Sequence, residues 1–556
     1  MTSKHGKRVR NALPRNASKR LSNSNTSSSI SERELRLLKR VNSSEDYIQF
    51  QDSAKDRFSG SHHQRSVDKV SRKSSGHLKR NRPSLESSAI QSNATSVEKK
   101  RTIDSNEVKS AKKLKRAAKA NRPASLKLPL LGDTYILKYV MEGHTEINIP
   151  VRDKDDVEDS KDIWCCEFEP TASESETFNQ QKSGQTQNLA FCASYTVLFV
   201  NTSQGKFVKK YTHVENQEIF YCMAWTRLER EHLLDATASD DDEEVGFCNV
   251  LAVAGRLGSI KLLSPLQNEC FRYLFGHQKA VLAMTFAKTE PRWLFTVSAD
   301  KTVRLWDIGS PTNTTDNSIC LAHFKLPERT GEPSAVSISY DLSTLLVGCN
   351  NGDLIEFKIT TSQLNQFRQS AKSFRLKGHE ANKGIRTSTI DRFIKFPAGD
   401  EWHEGYVDDV YILGQDGDKH NKLYNKIVSR GSKDMEILVW DPIGSTRTDA
   451  NIRMSLDWPD AADCTGLRFK IIEKDEQKVL IAGEYDGQIY IYNIGNGRKS
   501  KTLADNSKEQ FKPDRILSHS MSTEIIRDVT CSSDTKTIVA VDNNNNIFIW
   551  ASSASH

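Results

Sequence analysis

From about residue 128 onward the chain repeats one pattern. Short apolar runs rich in β-branched residues are broken by turns of Gly, Asn and Asp. That punctuation predicts strands. The clearest unit opens at Phe275-Gly276-His277 and continues through Ala280–Phe286 and Trp293–Ser298. It turns at Ala299-Asp300-Lys301 and closes on Thr302–Asp307. Related units flank it. Phe220–Thr226 leads to Val250–Gly255 and Gly258–Leu263; Val336–Tyr340 leads to Thr344–Gly348 and Asp353–Phe357. Val407–Tyr411 leads to Lys426–Ser429 and Ile437–Trp440; Leu467–Phe469 leads to Val479–Gly483 and Gln488–Tyr492. Arg527–Thr530 leads to Thr537–Val541 and Ile547–Trp550, and the earliest unit runs from Trp164 through Leu189–Phe191 to Val197–Val200. Seven units result.

A Gly-His start and a Trp-Asp end are the marks of a WD40 repeat. Seven four-stranded blades close into a ring that leaves few sheet edges exposed. The expected fold is therefore all-β, a seven-bladed WD40 β-propeller over 128–556 preceded by a basic disordered tail over 1–127. Tyr135–Tyr139 should complete the last blade and tie the ring shut, so that the tail emerges at the rim. His277, Ser298, Asp300 and Trp306 should form a hydrogen-bonded set that braces their blade rather than a hydrolase triad. Trp225, Trp306, Trp440 and Trp550 read as core. Two insertions interrupt the repeats: 229–248, which carries Ser239-Asp-Asp-Asp-Glu-Glu244, and 386–404, which lengthens the way into the fifth unit. An acidic loop of the first kind either solubilises or attracts Lys/Arg-rich tails.

Charge divides the chain at the same place. Residues 1–127 hold 31 Lys and Arg against 11 Asp and Glu, a sum of +20; the remainder holds 48 against 61, a sum of −13. All eight Trp and all ten Cys lie in the acidic part. The basic part lacks the apolar mass to offset its chain entropy. Within it, Ser31-Glu-Arg-Glu34 reads as a capping box before Leu35, Leu38 and Val41, a short helix that is either transient or partner-docking. Lys99, Lys100 and Arg101, then Lys112, Lys113, Lys115 and Arg116, form two basic clusters at the spacing of a bipartite nuclear import signal. The same charge predicts salt-dependent, nonspecific attraction to DNA or RNA. No apolar run reaches the length of a membrane span, the first residues have no apolar secretory core, and no CxxC spacing suggests a metal. No P-loop, GxSxG or HExxH is present, so neither an enzyme nor a cofactor is expected.

Some segments go beyond the general repeat. Asp162-Ile-Trp-Cys-Cys-Glu-Phe-Glu-Pro170, Phe220-Tyr-Cys-Met-Ala-Trp-Thr226 and Leu294–Gly309 closely resemble the WD domain of the leucine-rich-repeat and WD-repeat family that associates with the origin recognition complex. Phe220–Thr226 and Ala252–Lys261 are also similar, more weakly, to the extra-sex-combs (EED) propellers of Polycomb complexes. The resemblance covers roughly 130–552. No Leu-x-x-Leu-x-Leu-x-x-Asn repeats are found N-terminal to the propeller, where a basic tail stands instead, so the resemblance does not speak to any function carried by the family's leucine-rich module.

The resemblance implies a nuclear, chromosome-bound chromatin adaptor that reads a methylated histone tail and contacts origin recognition complex subunits, in replication initiation and heterochromatin. A trimethylammonium donates no hydrogen bond, so aromatic faces must hold it, each contact worth about 0.5–2 kcal/mol. By motif matching, Trp164 and Tyr221 fall on two walls of the Polycomb cage. Thr465 and Gly466 stand where its other two walls, a Trp-Tyr pair, would be. Trp458 is the candidate substitute wall, and Arg527 matches an arginine near the peptide groove. Two alternatives stay open: a Polycomb-type scaffold of a histone methyltransferase, and an RNA-linked, ribosome-assembly scaffold.

Overall fold

The computed structural model describes residues 129–143, 162–171, 187–229, 247–311, 318–377, 387–399, 402–458, 464–474, 477–495, 501 and 509–553. The import clusters, the Ser31 capping box, the tail and the acidic run Ser239–Glu244 lie outside them.

A short helical turn, α1 (Pro129–Gly132), leads into β1 (Tyr135–Glu142). Blade 1 follows as β2 (Ile163–Phe168), β3 (Asn188–Ala193), β4 (Thr196–Asn201) and β5 (Lys206–Thr212). Blade 2 is β6 (Phe220–Glu229), β7 (Phe247–Gly255), β8 (Ile260–Ser264) and β9 (Glu269–Leu274). Blade 3 is β10 (Val281–Phe286), β11 (Trp293–Ser298), β12 (Thr302–Asp307) and β13 (Ile319–Lys325). Blade 4 starts with β14 (Pro333–Ile338), β15 (Thr344–Cys349) and β16 (Leu354–Lys358); then come α2 (Thr361–Lys377), β17 (Ser388–Ile390) and β18 (Phe393–Phe396). Blade 5 is β19 (Val407–Ile412), β20 (Ile427–Gly431), β21 (Glu436–Trp440) and β22 (Ile452–Asp457). Blade 6 is β23 (Phe469–Lys474), β24 (Gln477–Gly483), β25 (Ile489–Asn493) and β26 (Arg515–Leu517). Blade 7 is β27 (Ile526–Cys531), β28 (Thr537–Asp542) and β29 (Asn546–Ser552), with β1 as its fourth strand.

The ring closes as its repeat pattern requires. β1 runs antiparallel to β29 from Tyr135 opposite Ser552 to Glu142 opposite Asn546, so the first described strand finishes the last blade. The Tyr135 hydroxyl also donates to the Thr535 carbonyl. Apolar residues alternate into the spaces between blades. One cluster joins blades 7, 1 and 2 through Val539, Ile549, Phe191, Val197, Phe220 and Leu251. Trp306 and Trp440 are buried in the blades, and so is Trp550, but Trp225 is only half-buried. It donates to the Glu167 carbonyl at 3.3 Å and lines the central channel.

The stretch 386–404 is more than a lengthened loop. β18 is the outer strand of blade 4, and β17 adds a parallel fifth strand to blade 3. Before them, α2 buries Leu364, Phe367, Ala371 and Phe374, the first three within the core of blades 3 and 4. Its start is a capping box: the Gln363 side chain accepts from Thr360 N at 2.8 Å, and the Thr360 hydroxyl accepts from Gln363 N at 3.3 Å.

Candidate channel-mouth site

The inner strands carry one recurring irregularity. β2, β6, β10, β14, β19 and β27 each shift register one residue after they start. The extra residues are Trp164, Tyr221, Leu282, Ser334, Asp408 and Arg527. A bulge re-aims the side chain it carries, and here six blades place it at the same end of the central channel. Arg468, just before β23, reaches across: its guanidinium donates to the Tyr221 carbonyl at 2.9 Å and lies 3.3 Å from Cys165 Sγ. Below this ring a cavity of about 640 Å³ is lined by inner strands of all seven blades.

Two of the cage candidates meet. Trp164 and Tyr221 pack edge to face, with ring centres 5.3 Å apart and planes at 82°. Both are 8% exposed. Arg527 lies over Trp164, its guanidinium carbon 4.7 Å from the ring centre. It is buried, pairs with Asp162 at 2.8 Å and donates to the Thr465 carbonyl at 2.7 Å. The groove arginine is thus a neighbour of the aromatic pair.

Trp458 does not join them. It is 0% exposed in the core between blades 5 and 6, against Tyr490, and Arg430 covers it at 4.5 Å. Arg430 in turn pairs with Asp408 of the ring at 3.3 Å. Trp458 therefore backs the mouth through an arginine and an aspartate. Thr465 and Gly466 are already engaged, the first through Arg527 and the second by donating its N–H to Asp408 at 2.6 Å.

Charge is unevenly compensated here. Burial pushes the Asp408 carboxyl up to about 6, although Arg430 favours its charged form. Burial pushes Asp409 up to about 7 against the pull of Arg468, and it raises Asp528 as well. Lys470 and Glu167 pair at 3.0 Å. All ten cysteines are free thiols. Among the described residues, no three His, Cys, Asp or Glu side chains converge on a metal geometry.

The bracing set takes a different hydroxyl from the one its sequence suggests. His277 Nδ1 lies 3.1 Å from Asp300, and its Nε2 lies 2.8 Å from Thr296 Oγ1, which also accepts from Trp306 Nε1 at 3.0 Å. Ser298 instead donates to the Lys279 carbonyl and accepts from Asp300 N. Along a strand, residues two apart share a face; Ser298 shares that of Thr296, but it is the latter that lies opposite the His277–Trp306 pair. Burial lowers the His277 imidazole, more than Asp300 raises it. Blade 5 repeats the set with residues the repeat pattern did not single out. His403 meets Asp434 and, at 2.8 Å, Ser429, whose hydroxyl accepts from Trp440 Nε1 at 3.0 Å. The Trp440-Asp441 dipeptide was the available signal.

Residues 139–400 match the family described as Leucine-rich repeat and WD repeat-containing protein 1, WD domain. The protein of that name from Xenopus tropicalis is 24% identical over 408 residues, which are 70% of this chain and 52% of that protein. The chain thus spans about half the length of that relative. Polycomb protein esc of Drosophila melanogaster is 22% identical over 364 residues, 61% of this chain and 71% of that protein. A solved structure titled as the Chaetomium thermophilum Polycomb complex with H3K27me3 and H3K27M shares the fold, with TM-score 0.51, 12% identity, and coverage of 76% of this chain and 99% of that one. Over residues 139–400, then, this propeller is similar to the WD domain of the Leucine-rich repeat and WD repeat-containing protein 1 family, and the chain is more distantly similar, over 364 residues, to Polycomb protein esc.

Proposed function

We propose that this chain is a non-catalytic nuclear chromatin adaptor whose channel mouth takes the trimethyl-lysine of a histone tail. Its partners are that tail, origin recognition complex subunits and, through residues 1–127, nucleic acid. One observation carries the reading: Trp164 and Tyr221, from neighbouring blades, stand perpendicular at the mouth with centres 5.3 Å apart. Perpendicular rings offer a cation two faces, each worth about 0.5–2 kcal/mol, once Arg527 gives up the Trp164 face it covers. Trp164 Nε1 is buried with no acceptor among the described residues, and a peptide laid across the mouth can offer it a carbonyl. The family likeness supports the chromatin context.

The test is calorimetry with trimethylated and unmodified histone peptides on the full chain and on Trp164→Ala/Tyr221→Ala. The wild type should prefer the trimethylated peptide and the folded double variant should lose that preference. Unchanged selectivity in the variant sinks the cage. Affinity capture from nuclear extract should return origin recognition subunits. A SET-domain methyltransferase in their place would establish the Polycomb-type scaffold, and co-sedimentation with pre-ribosomes the RNA-linked one.

A further inference from the structure

Blade 1 carries a charged surface that the channel mouth does not use. From Gln187 through Val214 the chain holds three lysines and no carboxylate. All three, Lys206, Lys209 and Lys210, are exposed on β5, the outermost strand of the blade. Lys138, exposed on neighbouring β1, adjoins them. Its ammonium lies 3.5 Å from the Ser203 carbonyl, which also accepts from the Tyr139 hydroxyl at 3.2 Å. Gly205 permits this approach: its φ is +61°, and a Cβ there would sit 2.7 Å from the Tyr139 ring. On the other side, Lys209 donates to the Pro265 carbonyl of the β8–β9 turn in blade 2. The lysines therefore line the rim from blade 7 across blade 1 to blade 2.

Lysines on an edge strand guard it against pairing with another strand, and that alone implies no partner. Two further facts do. On the outer strands of blades 5 and 4 two cations have counter-ions, Arg453 with Asp441 at 2.6 Å and Lys395 with Asp353 at 2.7 Å. Among the described residues, none of the four rim lysines has an ion pair. Between them, Phe207 and Val208 are 44% and 47% exposed, an apolar contact surface inside the basic one. Uncompensated like charges repel, and a polyanion relieves them while releasing its own counter-ions.

We propose that this rim is a docking surface for the phosphate backbone of duplex DNA, separate from the channel mouth and from residues 1–127. A single strand would need free rings to stack its bases. Phe207 is instead held 6.2 Å from Phe191, and Tyr139 is held by Ser203 and Gly205. An added peptide strand would need a regular edge, and β5 is bulged at Val208, between the partners of Phe199 and Val200. The basic segment 1–127 runs through α1 into the strand that carries Lys138, so the two basic stretches adjoin along the chain.

The test uses the full chain and a random-sequence duplex, with binding followed by fluorescence anisotropy between about 50 and 200 mM salt. Each lost phosphate contact lowers the log–log salt slope by about 0.9. Lys206→Gln/Lys209→Gln/Lys210→Gln should therefore flatten it by roughly 2 to 3, and the matching Lys→Arg variant should restore it. Amine labelling read by mass spectrometry should find Lys138, Lys206 and Lys210 shielded by duplex, and an unchanged melting temperature shows the variants folded. An unaltered slope with equal labelling in the presence and absence of duplex overturns the proposal. Equal shielding by a single strand of the same length, or by an acidic peptide, overturns the assignment to duplex.

Discussion

Arg527 covers Trp164 as a ligand cation would. Its guanidinium stands 4.7 Å from the ring centre and is held from behind by Asp162 at 2.8 Å. A trimethylammonium can take that face of the indole only by displacing an internal cation, at a cost near that of one cation–π contact, about 0.5–2 kcal/mol. Removing Arg527 alone would take from the buried Asp162 carboxylate the cation it pairs with. The paired change Arg527→Gln/Asp162→Asn removes both charges and should tighten the trimethylated peptide by roughly 3- to 30-fold in calorimetry. Weaker binding would mean that Arg527 itself grips the peptide.

The two hydroxyls of β11 can be told apart by stability. Thr296→Val leaves His277 Nε2 and Trp306 Nε1 buried without their shared partner. A buried polar group without a partner costs about 1–3 kcal/mol. Ser298→Ala forfeits only the bonds to Lys279 O and Asp300 N and should cost about 1 kcal/mol. Chemical denaturation should rank Thr296→Val clearly below Ser298→Ala. The reverse order would restore Ser298 to the brace.

That ranking marks where the sequence was legible and where it was not. Period-two runs with turn residues between them placed the three inner strands of each of seven blades, and Tyr135–Tyr139 as the closing strand, because those features depend on neighbours in the chain; the outer strands β5, β9, β13, β18, β22 and β26 were not read. Thr296 and Ser298 share a strand face, and only the packing across the blade selects between them. Trp164, Tyr221 and Arg527 came forward through resemblance, but their common bulge position depends on register, which local composition does not encode. Trp458 looked like a cage wall because an aromatic near a missing wall is ambiguous; its burial under Arg430 resolves it. The helix α2 had a readable signature that the repeat pattern overshadowed: Thr360 and Gln363 as a cap, then Leu364, Phe367, Ala371 and Phe374 at helical spacing.

Stability should depend on pH through the channel carboxyls. Burial raises Asp409 to about 7, facing Arg468 and Asp528, and Asp408 to about 6, facing Arg430 and Asp434. A raised carboxyl favours the proton in the folded state. Its contribution is full below the unfolded value near 4 and is lost as pH rises through 6 to 7. Asp409→Asn cannot ionise; it keeps one of the two oxygens, so it can accept from Val410 N or from Phe469 N but not from both, a loss that does not vary with pH. Subtracting the variant's melting temperatures from those of the wild type cancels the other groups. That difference should fall between about pH 4 and pH 7 and level off above. A flat difference would show that Asp409 is ionised in the fold at the acid end as well.

Closure of the ring by β1 makes a prediction about truncation. The ladder to β29 starts at Tyr135, and α1 places Leu130 in the core of blades 6 and 7. A chain beginning at residue 128 keeps both and should melt like the full chain. A chain beginning at residue 144 loses the ladder and leaves β29 as an open edge of apolar residues, Ile547, Phe548, Ile549 and Trp550. Seven paired residues at about 0.5–1.5 kcal/mol per hydrogen bond amount to several kcal/mol, enough to lower the melting temperature on the order of 10 °C. The exposed edge should also promote aggregation. Scanning calorimetry and light scattering on the two truncations decide it. Equal melting temperatures would mean that blade 7 stands without its fourth strand and that the ring is held by contacts between blades alone.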